Sequence, residues 1–294
     1  MQRHHIAIGS EQASWIDFGG EGPPAHFYHA NGFPLAVYQP FLKHLATRLH
    51  IFGLELRATW PRAGEPPRTL DWTAYADDLI AFLDLRGSTP VIGIGHSMGA
   101  TAVIYAARKR PDLFKVLVLI ETAMVPRAMA TVLRLMPHWF VRRGEIIKNT
   151  LRSPSRWPSR AAFLEAYRSL RAFKRFDEET WHAMAKHAVR ETSTGDVELV
   201  FTRAWEALNY SRPPNVLKQI AALRVPTIAI RGRPSMFLRD EIWQQWRTLS
   251  PQTVFDALPE YGHLLPLEAP EACAATVLSH LEQNPQTFGA MRFA

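Results

Sequence analysis

A serine stands between two glycines in the sequence Gly-His-Ser-Met-Gly at residues 95–99, directly after an apolar run. This Gly-x-Ser-x-Gly pattern is typical of a nucleophile held in a sharp turn between a buried strand and a helix. Small residues are needed on both flanks because the strand and the helix pack closely there. The turn lifts the hydroxyl above the sheet, where the first N–H groups of the helix face the negative charge that develops in acyl transfer. The pattern therefore predicts that Ser97 is a nucleophile.

A serine hydroxyl needs a general base to attack a carbonyl near neutral pH. His263 follows the last predicted strand and precedes the last predicted helix, so we expect it in a loop on the same sheet edge as Ser97. His29 and His96 are near the site but on elements that hold them in place. The histidines expected at the surface are His4, His5, His44 and His50. We therefore predict that His263 is the base.

Short β-rich runs alternate with helical patterns on both sides of a long interruption. The runs at residues 4–8, 13–18, 25–30, 50–56, 90–96, 115–121, 225–232 and 253–258 predict strands. The patterns at residues 35–49, 72–86, 99–111, 240–249 and 271–282 predict helices, the second with Asp71 as its N-cap. This alternation predicts an α/β fold with a mostly parallel, doubly wound sheet that helices cover on both faces.

The interruption lies between residues 126 and 213, where only helical patterns occur. We interpret it as a helical insertion into one core formed by residues 1–125 and 214–294. The tail at residues 284–294 follows the last predicted helix and is expected to be a loose end.

The composition narrows the class of protein. The 294 residues are 47% hydrophobic and 21% charged, as in soluble globular proteins. No segment approaches the roughly 18 apolar residues of a membrane span, and the first residues do not resemble a signal peptide. A single cysteine, Cys273, fits a reducing compartment, so we expect a cytoplasmic protein. The 12 histidines have no zinc-ligand spacing, so we expect no metal.

The net charge of +7 is concentrated in the insertion. Residues 127–190 contain 14 Lys and Arg against 5 Asp and Glu, a net charge of +9. Such a stretch can bind nucleic acid. Here, however, the basic residues alternate with apolar residues at helical spacing, which favours a solvated helix face and no nucleic-acid partner.

Four segments together resemble the α/β-hydrolase-fold superfamily, in the order usual for that family. They are residues 29–34 (HANGFP), 95–99 (GHSMG), 117–121 (LVLIE) and 261–271 (YGHLLPLEAPE). The resemblance implies a serine esterase- or lipase-like enzyme whose insertion is a helical cap. It also implies an oxyanion hole formed by the backbone N–H groups of Phe33 and Met98. Asn31 stands where the family often has a histidine.

Two departures from the family pattern concern the site. The loop at residues 55–62 lacks both family glycines, has Glu55 where the family has an aspartate, and adds Trp60 near the expected pocket mouth. The place where the family most often carries its triad acid holds Ser235 and Met236. Glu121 at the end of a strand is the favoured substitute, because some family members carry a glutamate there and the sheet edge is rigid. Asp240 is the alternative, although an N-cap role explains it.

The insertion is rich in aromatic and methionine residues, some of which are expected to cover Ser97 with an apolar pocket. The residues predicted to bind substrate are Asn31, Trp60, Met124, Trp139 and Trp157. Such a pocket suits small to medium esters. We expect a cofactor-free carboxylesterase, monomeric or homodimeric, with a small-molecule ester as its partner. A carbon–carbon bond hydrolase or lactonase using the same residues, and a non-catalytic ligand-binding module, remain alternatives.

Overall fold

The computed structural model of this chain describes residues 1–87, 89–233, 235 and 237–283. The tail at residues 284–294 and Met236 lie outside the described residues. In the described ranges the strands are β1 (Gln2–Ile8), β2 (Glu11–Gly19), β3 (Pro24–Tyr28), β4 (His50–Leu54), β5 (Val91–His96), β6 (Phe114–Ile120), β7 (Arg156–Trp157), β8 (Val189–Glu191), β9 (Val197–Leu199), β10 (Thr227–Gly232) and β11 (Val254–Leu258).

The α-helices of the same ranges are α1 (Gln39–Leu45), α2 (Thr73–Arg86), α3 (Met98–Lys109), α4 (Arg127–Leu135), α5 (His138–Val141), α6 (Glu145–Arg152), α7 (Arg160–Arg168), α8 (Glu178–His187), α9 (Arg203–Ser211), α10 (Leu217–Ala221), α11 (Asp240–Leu249), α12 (Leu265–Glu268) and α13 (Pro270–Gln283). The described part of the chain contains no helix long and apolar enough to cross a membrane. Trp72 occupies the N-cap position of α2, so the prediction of Asp71 as the N-cap is wrong by one residue, although the Asp71 carboxylate does accept the N–H of Thr73 at 2.8 Å.

Eight strands form one sheet in the order β1-β2-β4-β3-β5-β6-β10-β11. The strands from β4 to β11 in this order are parallel to their neighbours. The antiparallel pairs of this sheet are β1 with β2 and β2 with β4. The predicted fold class, an α/β fold with a mostly parallel doubly wound sheet, is confirmed.

Helices cover both faces of this sheet because both faces are apolar. Along β6, Leu117 and Leu119 point to one face and Val118 and Ile120 to the other, as the two-residue period of a strand requires. The first pair packs in a cluster with side chains of α2, α3 and α11, and the second with side chains of α1 and α13. The polar site is therefore confined to the edge where the parallel strands end.

The chain between β6 and β10 contains α4 to α9, as the helical patterns predict, but it also contains strands. β7, β9 and β8 form a small antiparallel sheet, so the expectation of an insertion without strands is wrong. These strands have only two or three residues, too few to show an alternating pattern. Arg156 on β7 and Arg190 on β8 both bind the carboxylate of Glu198 on β9, at 2.9 and 3.0 Å.

The acidic residue after β4 is buried without full hydrogen bonding. Glu55 has no exposed surface, and its Oε1 accepts a hydrogen bond from Arg3 Nη2 at 2.9 Å. Its Oε2 has no hydrogen-bond partner in the described part of the chain. Burial raises the pKa of Glu55 from 4.5 to about 7, although the charge of Arg3 opposes this. Ionisation of Glu55 therefore destabilises the fold.

We expect Glu55→Gln to remove a pH-dependent loss of stability. Because the folded-state pKa lies above the unfolded-state value, wild-type protein loses free energy of unfolding as the pH rises from 4.5 to about 7. The loss is at most about 1.4 kcal/mol per pH unit, and the glutamine variant lacks it. Urea unfolding of both proteins from about pH 4.5 to about pH 8 measures this. A difference in stability that stays constant over this range would contradict the raised pKa.

Candidate active site

The turn between β5 and α3 holds Ser97 in a conformation that few side chains adopt. Ser97 has φ 54° and ψ −117°. Its N–H donates to the carbonyl of Ile120 at 3.0 Å, and its carbonyl accepts the N–H of Ala123 at 3.2 Å. Both bonds tie the turn to the end of β6. Such backbone strain persists only where the surrounding structure fixes it, and it is common at functional sites.

The two glycines of the turn are required by close packing. A Cβ on Gly99 would lie 2.1 Å from the carbonyl oxygen of Tyr28. A Cβ on Gly95 would lie 2.5 Å from the Cα of Ala100. In both cases the obstacle is backbone, which cannot move aside as a flexible side chain can. Close packing of the strand against the helix therefore requires glycine at both positions.

Three side chains that are distant in sequence form one continuous hydrogen-bonded row. Ser97 Oγ lies 2.9 Å from His263 Nε2. His263 Nδ1 lies 2.8 Å from Glu121 Oε2. The imidazole can therefore accept the serine proton on one nitrogen while its other nitrogen donates to a carboxylate. His263 lies in the loop between β11 and α12, at the predicted edge of the sheet.

Glu121 is completely buried and receives several hydrogen bonds. Its Oε1 accepts the N–H of Gly232 at 2.6 Å, and its Oε2 accepts the hydroxyl of Ser235 as well as His263 Nδ1. A buried carboxylate needs such donors to offset its loss of hydration. Ser235, at the position where the resemblance would have placed an acid, donates its hydroxyl to Glu121.

Asp240 lies away from this row. Its two carboxylate oxygens bind Arg231 Nη2 at 2.6 Å and Arg233 Nη2 at 3.1 Å. It is the first residue of α11, and Arg239 occupies the N-cap position, so the expected N-cap role of Asp240 is wrong. Hydrogen bonds from Arg231 and Arg233 stabilise the carboxylate instead, and they lower the pKa of Asp240.

The loop that carries His263 is fixed by Glu268 on α12. The Glu268 carboxylate accepts the N–H of Gly262 at 2.6 Å and that of Leu264 at 3.3 Å, so it grips the residues on both sides of the histidine. Sequence analysis missed this residue, because the signal is only the spacing of a glutamate four residues after Leu264. Arg175 of the insertion approaches the same carboxylate at 3.7 Å.

His96 and Tyr38 form a second support. His96 Nε2 lies 2.8 Å from the carbonyl of His263, and its Nδ1 lies 2.8 Å from the Tyr38 hydroxyl. Burial lowers the pKa of His96 to about 3, so the ring is neutral and donates through one nitrogen only. Burial likewise lowers the pKa of His29 to about 4, and its Nε2 accepts the N–H of Leu56 at 2.9 Å. These two histidines are held in place, as predicted.

The loop at residues 29–34 is pinned to the insertion through Asn31. Asn31 Nδ2 donates to the carbonyl of Glu206 at 3.1 Å, and Asn31 Oδ1 accepts Asn209 Nδ2 at 2.8 Å. Gly32 follows with φ +85°, the left-handed conformation that favours glycine. Phe33 comes next, and Met98 is the first residue of α3, where helix N–H groups have no partner within the helix.

A cavity of about 360 Å³, which we term the catalytic cavity, opens above Ser97 and His263. Asn31, one of the residues predicted to bind substrate, lines it, and so do Phe33 and Met98, the residues expected to form an oxyanion hole. The insertion contributes mainly apolar side chains, namely Met129, Leu133, Val141, Ile146 and Ile147.

The other predicted substrate-binding residues do not line the catalytic cavity. Trp60 is buried in the core and donates its indole N–H to the carbonyl of Glu55 at 2.7 Å. Met124 is buried in the same core cluster. Trp157 packs against Phe163 with ring centroids 5.0 Å apart. Trp139 is 60% exposed on the outer surface. Residue type and approximate position are insufficient to tell which side of an element a side chain occupies.

A second cavity of about 600 Å³ reaches His263 from the side of Glu268. It shares Asn31, Phe33 and His263 with the catalytic cavity, and its own walls are more polar. Arg171, Lys174, Arg175 and Arg203 line it together with Glu206 and Glu268. Arg203 binds Glu206 at 2.6 Å, so part of this charge is neutralised within the protein.

Known proteins share this arrangement of strands and helices. A model described as the alpha/beta hydrolase family matches residues 22–276. An abhydrolase domain-containing protein of Alternaria alternata is 21% identical over an alignment of 232 residues, and the match covers 66% of this chain and 84% of that protein.

Two solved structures have the same fold over nearly their whole length. An E-2-(acetamidomethylene)succinate hydrolase superposes with a TM-score of 0.78 at 18% identity, covering 96% of this chain and 99% of its own. A thioesterase domain from the curacin biosynthetic pathway superposes with a TM-score of 0.73 at 22% identity, covering 95% and 99%.

We expect Gly99→Ala to destabilise the protein by about 2 kcal/mol or more, because the new methyl group meets the Tyr28 carbonyl. The control is Gly195→Ala, where φ is +87° and nothing lies within 4 Å of the added Cβ. That variant carries only the cost of the backbone conformation, about 1 kcal/mol. Denaturant unfolding compares the two. Equal losses would contradict the packing explanation.

Proposed function

Since the chain belongs to the alpha/beta hydrolase family, we propose that it is a serine hydrolase that cleaves carboxylic esters through an acyl-enzyme. The observation that carries this proposal is the row of hydrogen bonds from Ser97 through His263 to Glu121, at 2.9 and 2.8 Å. The row ends on a strained serine at the floor of an apolar cavity. Nucleophile, base and orienting acid within hydrogen-bond reach are what acyl transfer requires.

In the proposed mechanism Ser97 Oγ attacks the ester carbonyl while its proton passes to His263 Nε2. The carboxylate of Glu121 stabilises the imidazolium through Nδ1–H. The N–H groups of Phe33 and Met98 receive the oxyanion. His263 then gives the proton to the leaving alcohol, and the acyl-enzyme forms. A water molecule then attacks the acyl group while its proton passes to His263 Nε2, and His263 returns that proton to Ser97 Oγ as the acid leaves and the serine hydroxyl is restored.

The two cavities divide the substrate in this proposal. The acyl group occupies the catalytic cavity, which touches Ser97 and Met98 and has apolar walls. The leaving group occupies the second cavity, which touches His263 but not Ser97, on the side from which the leaving oxygen takes its proton. The proposed substrate is therefore an ester of a small to medium apolar acid with a more polar alcohol.

Two other functions could use this site. A carbon–carbon bond hydrolase or lactonase needs the same three residues, so a panel of nitrophenyl esters, lactones and ring-cleavage products would separate these from an esterase. A non-catalytic ligand-binding module would need no nucleophile. The close Ser97–His263 contact supports an enzyme over a binding module. We also propose that the protein acts in the cytoplasm and that its partner is a small-molecule substrate.

We expect a fluorophosphonate probe to label the wild-type protein and to leave Ser97→Ala unlabelled. Ser97→Ala should also lose ester hydrolysis by several orders of magnitude, since nucleophile removal in one serine protease cost about a millionfold. The matched control is Ser211→Ala, a buried serine on the wall of the same cavity that bonds to the carbonyl of Leu208. It should still be labelled. Hydrolysis by Ser97→Ala within tenfold of wild type would contradict the mechanism.

We expect Glu121→Gln to lower kcat at least several hundredfold, because the equivalent change in one serine protease cost about ten-thousandfold. The amide keeps the shape of the side chain but removes the charge beside His263. Asp240→Asn should change kcat by less than about tenfold, since Asp240 is exposed and bound to Arg231 and Arg233. Steady-state kinetics on one ester, with circular dichroism to check folding, compares them. A larger loss in Asp240→Asn would reverse the assignment.

A further inference from the structure

A third cavity, of about 430 Å³, lies on the other side of α4 from Ser97. We term it the cationic cavity. Arg127, Ala130, Thr131 and Arg134 line it, and their spacing of three, four and seven residues places them on one face of α4. Met129 and Leu133, on a different face, line the catalytic cavity. The helix therefore separates the two cavities.

Four cations surround this cavity, and no carboxylate of the described residues pairs with them. Arg127 and Arg134 come from α4, Arg212 from the chain that leaves the insertion, and Lys218 from α10. Across residues 1–87, 89–233, 235 and 237–283, none of the four takes part in a salt bridge. Like charges around a concave surface repel one another and concentrate the positive potential there.

Other polar groups of the cavity do not supply the missing charge. Asp71 is the one acid among the lining residues, and its carboxylate already accepts the N–H of Thr73. Arg212 Nη2 donates to the carbonyl of Met136 at 3.1 Å. Arg212 Nε and Gln219 Oε1 are buried and, within the described part of the chain, lack any hydrogen-bond partner. A buried polar atom without a partner is costly, so the protein by itself does not fully satisfy the hydrogen-bonding groups of this wall.

We propose that the cationic cavity binds a small organic anion with at least two negative charges on phosphate or carboxylate groups. Guanidinium groups bind both kinds of oxygen through paired hydrogen bonds. The volume is within the range of roughly 300 to 1,000 Å³ that small-ligand sites have. Leu70, Tyr105, Pro213 and Pro214 give the organic part of the ligand an apolar wall. The concave shape favours a small anion over an extended nucleic acid.

The position of the cavity gives the anion a structural effect. The two chain segments that connect the insertion to the core run side by side here, with the N–H of Val125 donating to the carbonyl of Pro214 at 3.1 Å and Asn215 Nδ2 donating to the carbonyl of Val125 at 2.8 Å. An anion held by Arg134 of α4 and by Lys218 of α10, which lies in the core, would fix α4 against the core. Because α4 also forms a wall of the catalytic cavity, the ligand would hold that wall in place.

Titration calorimetry tests the site with pyrophosphate and citrate as probes, at one pH and constant ionic strength. We expect one saturable site for at least one probe. The double variant Arg134→Gln/Lys218→Gln should bind that probe at least about tenfold more weakly, since it removes two charge-assisted hydrogen bonds to the anion. Both side chains are exposed, and neither forms a salt bridge with another described residue, so their removal leaves the fold intact. Preference for pyrophosphate or for citrate identifies the phosphate or the carboxylate class.

The matched control is Lys115→Gln/Arg239→Gln, which makes the same change in net charge at two exposed cations elsewhere on the surface, neither of which forms a salt bridge within the described part of the chain. It should bind as the wild type does. Ser97→Ala should also keep the site, which separates this proposal from the catalytic one. No saturable binding of either probe, equal weakening in the control, or loss of binding in Ser97→Ala would overturn the proposal. So would duplex DNA that binds more tightly than both probes and displaces them.

Discussion

The buried carboxylate of Glu121 joins the ends of three neighbouring strands. It follows β6, accepts the N–H of Gly232 at the end of β10, and accepts His263 from the loop after β11. Such a group must receive hydrogen bonds from its surroundings, or its burial would cost more than the fold can offset. Every donor that Glu121 receives is therefore also fixed in place. The positions of the strand ends and the orientation of the imidazole depend on the same charge.

A second group of contacts extends this rigidity to the insertion. Asn31 joins the loop after β3 to α9, and Glu268 holds the loop of His263 while Arg175 of the insertion approaches it. His96 forms a hydrogen bond with the carbonyl of His263, and the Tyr38 hydroxyl forms one with the other nitrogen of His96. The residues around the proposed reacting atoms are thus held by neighbours whose own positions are fixed, which is what preorganisation requires.

The cations of the insertion have two different surroundings, which its net charge alone does not reveal. Some of its cations bind carboxylates, as Arg156 and Arg190 bind Glu198 and Arg203 binds Glu206. Others, among them Arg127 and Arg134, face the cationic cavity. The interpretation of the basic stretch as a solvated helix face is therefore incomplete. Helical spacing shows which residues share a face of α4, but it does not show that residues 212–219 form the opposite wall of a cavity.

The local sequence by itself determined the elements and the order in which they occur. Period-two and period-3.6 patterns predict strands and helices because burial acts residue by residue, and glycines at 95 and 99 are readable because a Cβ cannot fit against backbone. These signals placed Ser97, His263 and Glu121 at one edge of a parallel sheet, since parallel strands end on the same side. The short strands β7 to β9 escaped because two or three residues carry no period.

Tertiary structure decided which side chains face one another. Four predicted pocket residues, Trp60, Met124, Trp139 and Trp157, lie elsewhere, because an apolar side chain is equally suited to a core, a cavity wall or an exposed helix. Ser235 and Glu268 matter through partners 114 and 6 residues away, a distance that only the folded chain closes. The four cations of the cationic cavity come from three segments of the chain: two from α4, one from the chain at Arg212 and one from α10. Their common charge has a consequence only where packing brings those elements around one space.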